Sequence, residues 1–139
     1  MDPHRLRGLL ENLYERFNDP KLIHPDPLEF VVRYPEDWDQ EIVALIAACL
    51  AYGRVQAILK FVARVLAPMG DSPAHFILSH TEKDFKSDEL HGRFVYRFTR
   101  GDELSRLLSA LRKILLSYGS LKECFLSYDR AEEPTFFFA

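Results

Sequence analysis

The sequence has 139 residues and a mass of 16.2 kDa, a length that suits one domain with its own core. Apolar residues make up 47% and charged residues 28%, shares close to those of average soluble domains, which exclude disordered, collagen-like, coiled-coil and disulfide-stapled chains. The formal net charge is −3, so the chain does not have the surplus of basic residues that is typical of dedicated nucleic-acid binders. A local basic face is still compatible with this net charge.

A first helix is predicted from Pro3 to Phe17, where leucines recur at steps of three and four residues. The segment from Asn18 to Pro35 that follows holds half of the chain's prolines, which are excluded from helix interiors and central strands. Its apolar residues predict that it lies on the core. We therefore expect a Pro-rich, irregular strap between the first two helices.

The second helix is predicted to begin near Asp37, with Gln40 as its capping-box partner. Residues 42–51 are apolar on nearly every face, which is typical of a buried helix, and the alanines among them allow close approach by neighbours. Gly53 is placed to end this helix in a left-handed cap. The pattern predicts the central helix of the fold.

Further helices are predicted along the rest of the chain: Arg54–Leu66, Pro73–Ser79 after the cap Ser72, Asp102–Tyr118 ended by Gly119, and Ser120 to about Tyr128. Phe94–Thr99 has strand-like content but is too short to decide between a strand and a helical turn. The predicted fold is all-α, an irregular, orthogonal bundle of five or six helices over residues 1–129. Residues 130–139 form an atypical tail.

The cysteines and the apolar runs indicate the cellular compartment of the protein. Cys49 stands in an apolar run and is predicted to be a small buried hydrophobe, whereas Cys124 lies near the end of the chain. One cysteine pair without a signal peptide indicates a reducing compartment, and the longest apolar run, residues 42–52, is too short to span a membrane. We expect a cytoplasmic protein that does not enter membranes.

The histidines and clustered acidic residues of the chain are explained by simpler roles than catalysis or metal binding. His75, His80 and Asp84 are too few and too uncertainly aligned to close a metal site, and His24 with Asp26 fits turn chemistry. Asp37, Asp39 and Glu41 fall in the first turn of a helix, where negative charge is favourable in any protein. Nucleophile-elbow, zinc-protease, Walker and C-x-x-C motifs are all missing. The sequence predicts no catalytic residue, no metal and no cofactor.

Tyr52-Gly53-Arg54 is the first candidate binding site. It joins the predicted buried helix to the next one, so a tyrosine and an arginine emerge beside the exposed N–H groups of a helix N-terminus, which accept anions. A helix-to-helix turn with a capping glycine needs no function, however. Both interpretations stay open.

Arg93, Arg97 and Arg100 are the second candidate, because they alternate with Phe94, Tyr96 and Phe98. Basic and aromatic residues at such spacing grip phosphates and stack bases. Alternatively, the aromatic residues anchor a loop in the core while the arginines stay in solvent. The absence of net positive charge favours this second interpretation.

Five stretches of the chain, in their order and spacing, carry a family resemblance: Asp26–Phe30 with Arg33-Tyr34, Asp39–Ile42 leading into Leu50–Arg54, Met69-Gly70 with Ser72-Pro73, Phe94–Phe98, and Tyr118–Leu121. The chain resembles a mainly bacterial family of uncharacterised conserved proteins, domain of unknown function twenty-four hundred. The resemblance covers about Leu10 to Tyr128, whereas the tail from Ala131 is unlike the family.

That family is itself distantly similar to the helix-hairpin-helix DNA glycosylases, mostly in its C-terminal half. This chain has no L-P-G-[VI]-G hairpin and stops before any Asp-Thr-His-type stretch, so the resemblance implies a truncated form that is not catalytically competent. It implies nucleic-acid contacts by Tyr52 and Arg54, with Arg93, Arg97 and Arg100 as a second patch. The alternatives are an inactive remnant or a helical interaction module. Such a module would use its Phe136–Phe138 run to meet a missing C-terminal lobe or a protein partner.

Overall fold

The computed structural model describes residues 2–87 and 93–129. Those residues contain eight α-helices: α1 (Pro3–Phe17), α2 (Leu28–Val31), α3 (Asp37–Leu50), α4 (Val55–Leu66), α5 (Pro73–Ser79), α6 (Glu82–Phe85), α7 (Gly101–Tyr118) and α8 (Leu121–Tyr128). Two 3-10 turns, Pro20–Leu22 and Ala67–Met69, and two short strands, β1 (Val95–Tyr96) and β2 (Thr99–Arg100), complete the described elements. The predicted all-α bundle is confirmed, and α2 and α6 are single turns beyond the predicted helices.

Helix α3 lies at the centre of the bundle. It packs against α2, α4, α5 and α8, while α7 packs against α5, α6 and α8. The core consists of the inward faces of α3, α4, α5 and α7 together with Phe30, Met69, Phe85, Phe94 and Tyr96. Most residues that the three- and four-residue spacing of α4 and α7 predicts inward are buried, such as Val62 and Leu108. Val55, at the start of α4, is exposed, and Leu107 and Ile114 of α7 are half-buried.

Two carboxylates of α3 hold the N-termini of other helices. Asp39, only 1% exposed, accepts hydrogen bonds from the N–H of Ala74 at 2.7 Å and the hydroxyl of Ser72 at 3.2 Å, at the start of α5. Glu41 accepts the first two N–H groups of α8, from Leu121 at 2.9 Å and from the next residue at 3.2 Å. Each acid thus satisfies N–H groups that have no acceptor inside their own helix.

The prediction that α3 is buried on nearly every face is wrong. Ala44, Ala48 and Ala51 are exposed, because the nearest elements on that side, Pro27–Val31, leave an open groove over them. Cys49 is exposed too, so its assignment as a buried hydrophobe is wrong, and Cys124 is half-buried. Both thiols are free.

The strap between α1 and α3 is only partly on the core. Phe30 is buried, but Leu22, Leu28 and Val32 are about half exposed, because only one side of α2 faces α3. The predicted capping box of α3 does not form. The cap residue is Glu36, and the Gln40 side chain instead donates to the carbonyl of Tyr34 at 2.7 Å.

Helix α1 has the predicted bounds but no buried residue. Its apolar face stays largely in solvent, with the six large side chains between 37% and 62% exposed: Leu6, Leu9, Leu10, Leu13, Tyr14 and Phe17. In the part of the chain that the structure describes, no helix combines the length and the apolar character that crossing a bilayer requires.

Candidate nucleic-acid interface

Residues 95–100 form a tight antiparallel hairpin, with Val95 opposite Arg100 and Tyr96 opposite Thr99. Arg97 and Phe98 make the two-residue turn, and Arg97 has a positive φ of 50°. The segment Phe94–Thr99, which the sequence left undecided between a strand and a helical turn, therefore contributes to two strands that pair with each other. A non-glycine residue in the left-handed region carries a steric cost and marks a position that its surroundings hold in place.

The pleat of the hairpin separates its side chains into two faces. Tyr96 is buried and Thr99 half-buried, whereas Val95 and Arg100, their neighbours along the strands, are exposed. The hairpin therefore packs one face on the core, and Arg100 lies on the opposite, solvent face.

Tyr52, two residues beyond α3, connects this hairpin to the junction between α3 and α4 by hydrogen bonds. Its hydroxyl donates to the carbonyl of Tyr96 at 3.0 Å and lies 2.6 Å from the Thr99 hydroxyl. In return, the Tyr96 hydroxyl donates to the carbonyl of Tyr52. Since Tyr52 has one proton to give, Thr99 must donate to Tyr52.

Four aromatic rings form a continuous stack from the core to the surface. Phe61 stacks on Tyr96 with ring centres 4.3 Å apart, Tyr96 on Tyr52 at 4.9 Å, and the tilted ring of Phe98 lies 6.1 Å from Tyr52. Phe98, at the tip of the hairpin, is 80% exposed. The last ring of the stack is therefore available to another planar group.

Gly53 and Arg97 are in close contact. A Cβ added at Gly53 would lie 2.5 Å from Nη1 of Arg97, and Gly53 has a φ of +108°, which L side chains rarely adopt. Gly53 thus has a positive φ, but the prediction that it caps α3 is wrong: the C-cap residue is Ala51, and Gly53 stands three positions beyond the end of the helix. Because Gly53 has no side chain, the guanidinium group of Arg97 fits against its backbone.

The two predicted candidate sites thus meet at one place. We call the group formed by Tyr52, Gly53, Arg54, Arg97 and Phe98 the junction surface. Arg54 is the N-cap residue of α4, whose first N–H groups have no side-chain cap. Within residues 2–87 and 93–129, neither Arg54 nor Arg97 forms an ion pair with a carboxylate.

The other two predicted arginines are not brought into this group. Arg100 lies on the solvent face of the hairpin, and its backbone N–H donates to Glu103 at 2.8 Å. Arg93 is exposed and precedes β1. Phe94 and Tyr96 are buried, as expected if the aromatic residues anchor the loop in the core. Phe98 is exposed and does not fit that interpretation.

Two of the candidate histidines, His80 and His24, have local side-chain partners. Nδ1 of His80 lies 2.8 Å from the carbonyl of Phe76, whose ring stacks on the imidazole at 4.1 Å, and His24 pairs with Glu29 at 2.7 Å. Asp84 accepts from the N–H and the hydroxyl of Thr81, and those hydrogen bonds lower its pKa. Among the described residues, no three histidine, cysteine or acidic side chains form a group that holds a metal ion.

A cavity beside the hairpin was missed by sequence reasoning. It has a volume of about 360 Å³ and opens next to Phe98. Its lining combines residues from α3, the hairpin and α7: Cys49, Leu50, Phe98, Thr99, Glu103, Leu104 and Leu107. No local pattern could reveal it, because residues more than fifty positions apart form its walls.

Comparisons with known proteins identify a family. A search of curated proteins and a search of solved structures gave no significant match. The family model described as "Protein of unknown function (DUF2400)" matches residues 26–136, which leaves out α1 and extends past Tyr128. Residues 130–139, including the Phe136–Phe138 run, lie outside the described residues. The expected bounds of the resemblance are wrong, since the match begins after Leu10 and includes residues 131–136 of the tail that was expected to be unlike the family. The family itself is confirmed: the chain belongs to the DUF2400 family of proteins of unknown function.

Proposed function

We propose that this chain binds nucleic acid through the junction surface. The observation that carries the proposal is the contact between Arg97 and Gly53, which joins two separately predicted motifs into one surface. Arg97 lies there beside the exposed ring of Phe98, and Arg54 follows Gly53 in the chain. In the described part of the chain, neither arginine has a carboxylate partner. Guanidinium groups bind phosphate through paired hydrogen bonds, and aromatic rings stack bases.

The overall charge of −3 does not oppose such binding, because phosphates respond to the local field. Several basic residues elsewhere are neutralised by carboxylates four positions away, including Arg33 by Glu29 and Arg106 by Asp102. The cations of the junction surface are not compensated in this way. The distant resemblance of the family to DNA glycosylases supports the same class of ligand.

Fluorescence anisotropy of a labelled single-stranded DNA, from low to physiological salt, tests the proposal. We expect binding that weakens with salt, since cations that contact phosphates release counterions. Arg54→Ala and Arg97→Gly should each weaken binding and reduce the slope of log K against log salt by about 0.7, the value per contact for single strands. Glycine at position 97 is chosen because it accepts a φ of 50° without strain.

Arg7→Ala is the matched control, because Arg7 is an exposed arginine of α1 that is paired with Glu11 and is not part of the junction surface. It removes one positive charge and should leave affinity and salt slope nearly unchanged. No binding of the wild-type chain at low salt would overturn the proposal. An equal loss in Arg7→Ala would show general charge attraction without a site.

A second candidate function is a helical interaction module, which the exposed apolar face of α1 supports. Six large apolar side chains on one unburied helix form a surface that isolated soluble chains rarely present. Leu9→Glu together with Leu13→Glu should abolish any self-association or partner capture while leaving the core intact. If the wild-type chain is monomeric and captures no partner, so that it behaves like the double variant, the result would argue against this function.

A further inference from the structure

We infer that the cavity beside Phe98 receives one unpaired base of a single-stranded nucleic acid. This inference rests on the proposed function and adds a ligand class to it. The 360 Å³ volume lies near the lower end of the range for small-molecule sites, which suits a single planar group rather than a larger ligand.

The walls of the cavity have the chemistry that a base requires. Phe98 contributes an aromatic face, while Leu50, Leu104 and Leu107 provide an apolar floor. Because Phe98 ends the aromatic stack that Tyr52 continues inward, a base inserted there would lengthen an existing stack. The rings of Phe61, Tyr96 and Tyr52 are already packed on one another, so the inner part of the stack needs no ordering on binding.

Polar groups of the lining lie among these apolar walls. The Thr99 hydroxyl is held by Tyr52, and Glu103 uses Oε2 to accept the N–H of Arg100. The second oxygen of Glu103 remains an acceptor for the amino group of a base, as carboxylates are for cytosine. Thr99 and Glu103 therefore supply hydrogen-bonding atoms in an otherwise apolar lining.

The cation next to the cavity fits the rest of a nucleotide. Arg97 precedes Phe98 in the turn, with its guanidinium carbon 5.8 Å from the centre of the Phe98 ring. A strand whose base enters the cavity carries its phosphates past this arginine. A paired base is excluded, because in a duplex both faces and the Watson–Crick edge are already occupied.

The test compares two labelled single-stranded DNAs of equal length and charge, one with normal bases and one with an abasic residue at every position. If a base enters the cavity, the strand with bases should bind about 5- to 150-fold more tightly, the range for stacking of one base. Phe98→Ala should remove this preference, whereas Phe98→Tyr should keep it. Equal affinity of the two strands would overturn the inference and leave the proposed phosphate contacts standing.

Alkylation of Cys49 gives a readout that does not depend on affinity. Cys49 is exposed and lines the cavity, while Cys124 is half-buried on α8 and serves as an internal reference. The strand with bases should slow alkylation of Cys49 by N-ethylmaleimide at least fivefold at saturation and leave Cys124 unchanged. The abasic strand and a duplex should protect neither thiol. Unprotected Cys49 under a bound strand would overturn the inference, and absence of binding by every strand would overturn the proposed function as well.

Discussion

Tyr52 and Tyr96 are bound to each other twice: each hydroxyl donates to the backbone carbonyl of the other residue, and the rings stack at 4.9 Å. Forty-four positions separate the two residues. Their reciprocal contact joins the turn after α3 to the hairpin and so places the Arg97 side chain against Gly53. The position of the candidate interface therefore depends on this pair.

Removing either hydroxyl should destabilise the fold. Tyr52→Phe and Tyr96→Phe each leave a carbonyl without its donor, and we expect the free energy of unfolding to fall by about 0.5–1.5 kcal/mol in each case. Urea denaturation followed by circular dichroism measures the change. Tyr14→Phe, on the exposed face of α1, is the control and should have no effect. Two variants as stable as that control would contradict the prediction.

Gly53→Ala should destabilise the chain by about 1 kcal/mol or more, because the residue has a φ of +108° and the new Cβ meets Arg97 and the Tyr96 hydroxyl. Thermal unfolding measures the loss. Gly8→Ala is the matched substitution, since Gly8 lies in α1 with no atom within 4 Å of an added Cβ. It should not destabilise the protein, and helix content should rise slightly. Equal behaviour of the two variants would rule out the strain argument.

Asp39→Ala should cost about 1.5–3 kcal/mol, the usual value for hydrogen bonds to a charged group, because it leaves the buried N–H of Ala74 without an acceptor. Asp39→Asn keeps an oxygen at the same place and should lose less. Chemical denaturation of the two variants compares them. If asparagine and alanine are equally damaging, the carboxylate acts by its charge rather than by capping α5.

Tyr34 should make stability depend on alkaline pH. Burial raises the pKa of its phenol, and the Asp39 carboxylate adds to the effect. The folded state favours the neutral phenol, and this preference adds to the free energy of unfolding. The added stability is complete below the unfolded pKa of about 10 and is lost as pH rises through the folded pKa. Denaturation of wild type and Tyr34→Phe across that range should show a steeper decline for wild type. Parallel declines would contradict the assignment.

Sequence patterns predicted the helices that carry their own boundary signals. Ser72 and Ser120 each cap the helix that follows, and Gly119 takes a positive φ of 84° after α7. The bounds of α1 and α5 agree with the prediction residue by residue. These signals are local, so neighbouring residues suffice to recognise them.

Features that depend on long-range packing were not predictable in this way. The Arg97-Phe98 turn lacks the glycine or asparagine that usually marks a two-residue hairpin, which is why the sequence did not decide between a strand and a helical turn. The role of Asp39 was missed for a similar reason. A carboxylate in the first turn of a helix suits that helix's own dipole, and only the fold shows that Asp39 caps α5 instead.

The absence of any buried residue in α1 has a consequence for hydrogen exchange. A helix of fifteen residues without tertiary support is marginal in water, so its amides should exchange through local fraying, at rates independent of the stability of the core. Amides of α3 and α7 should exchange only through opening of the bundle. Slowed exchange confined to α1 would therefore locate a binding partner on its apolar face without any substitution in the chain.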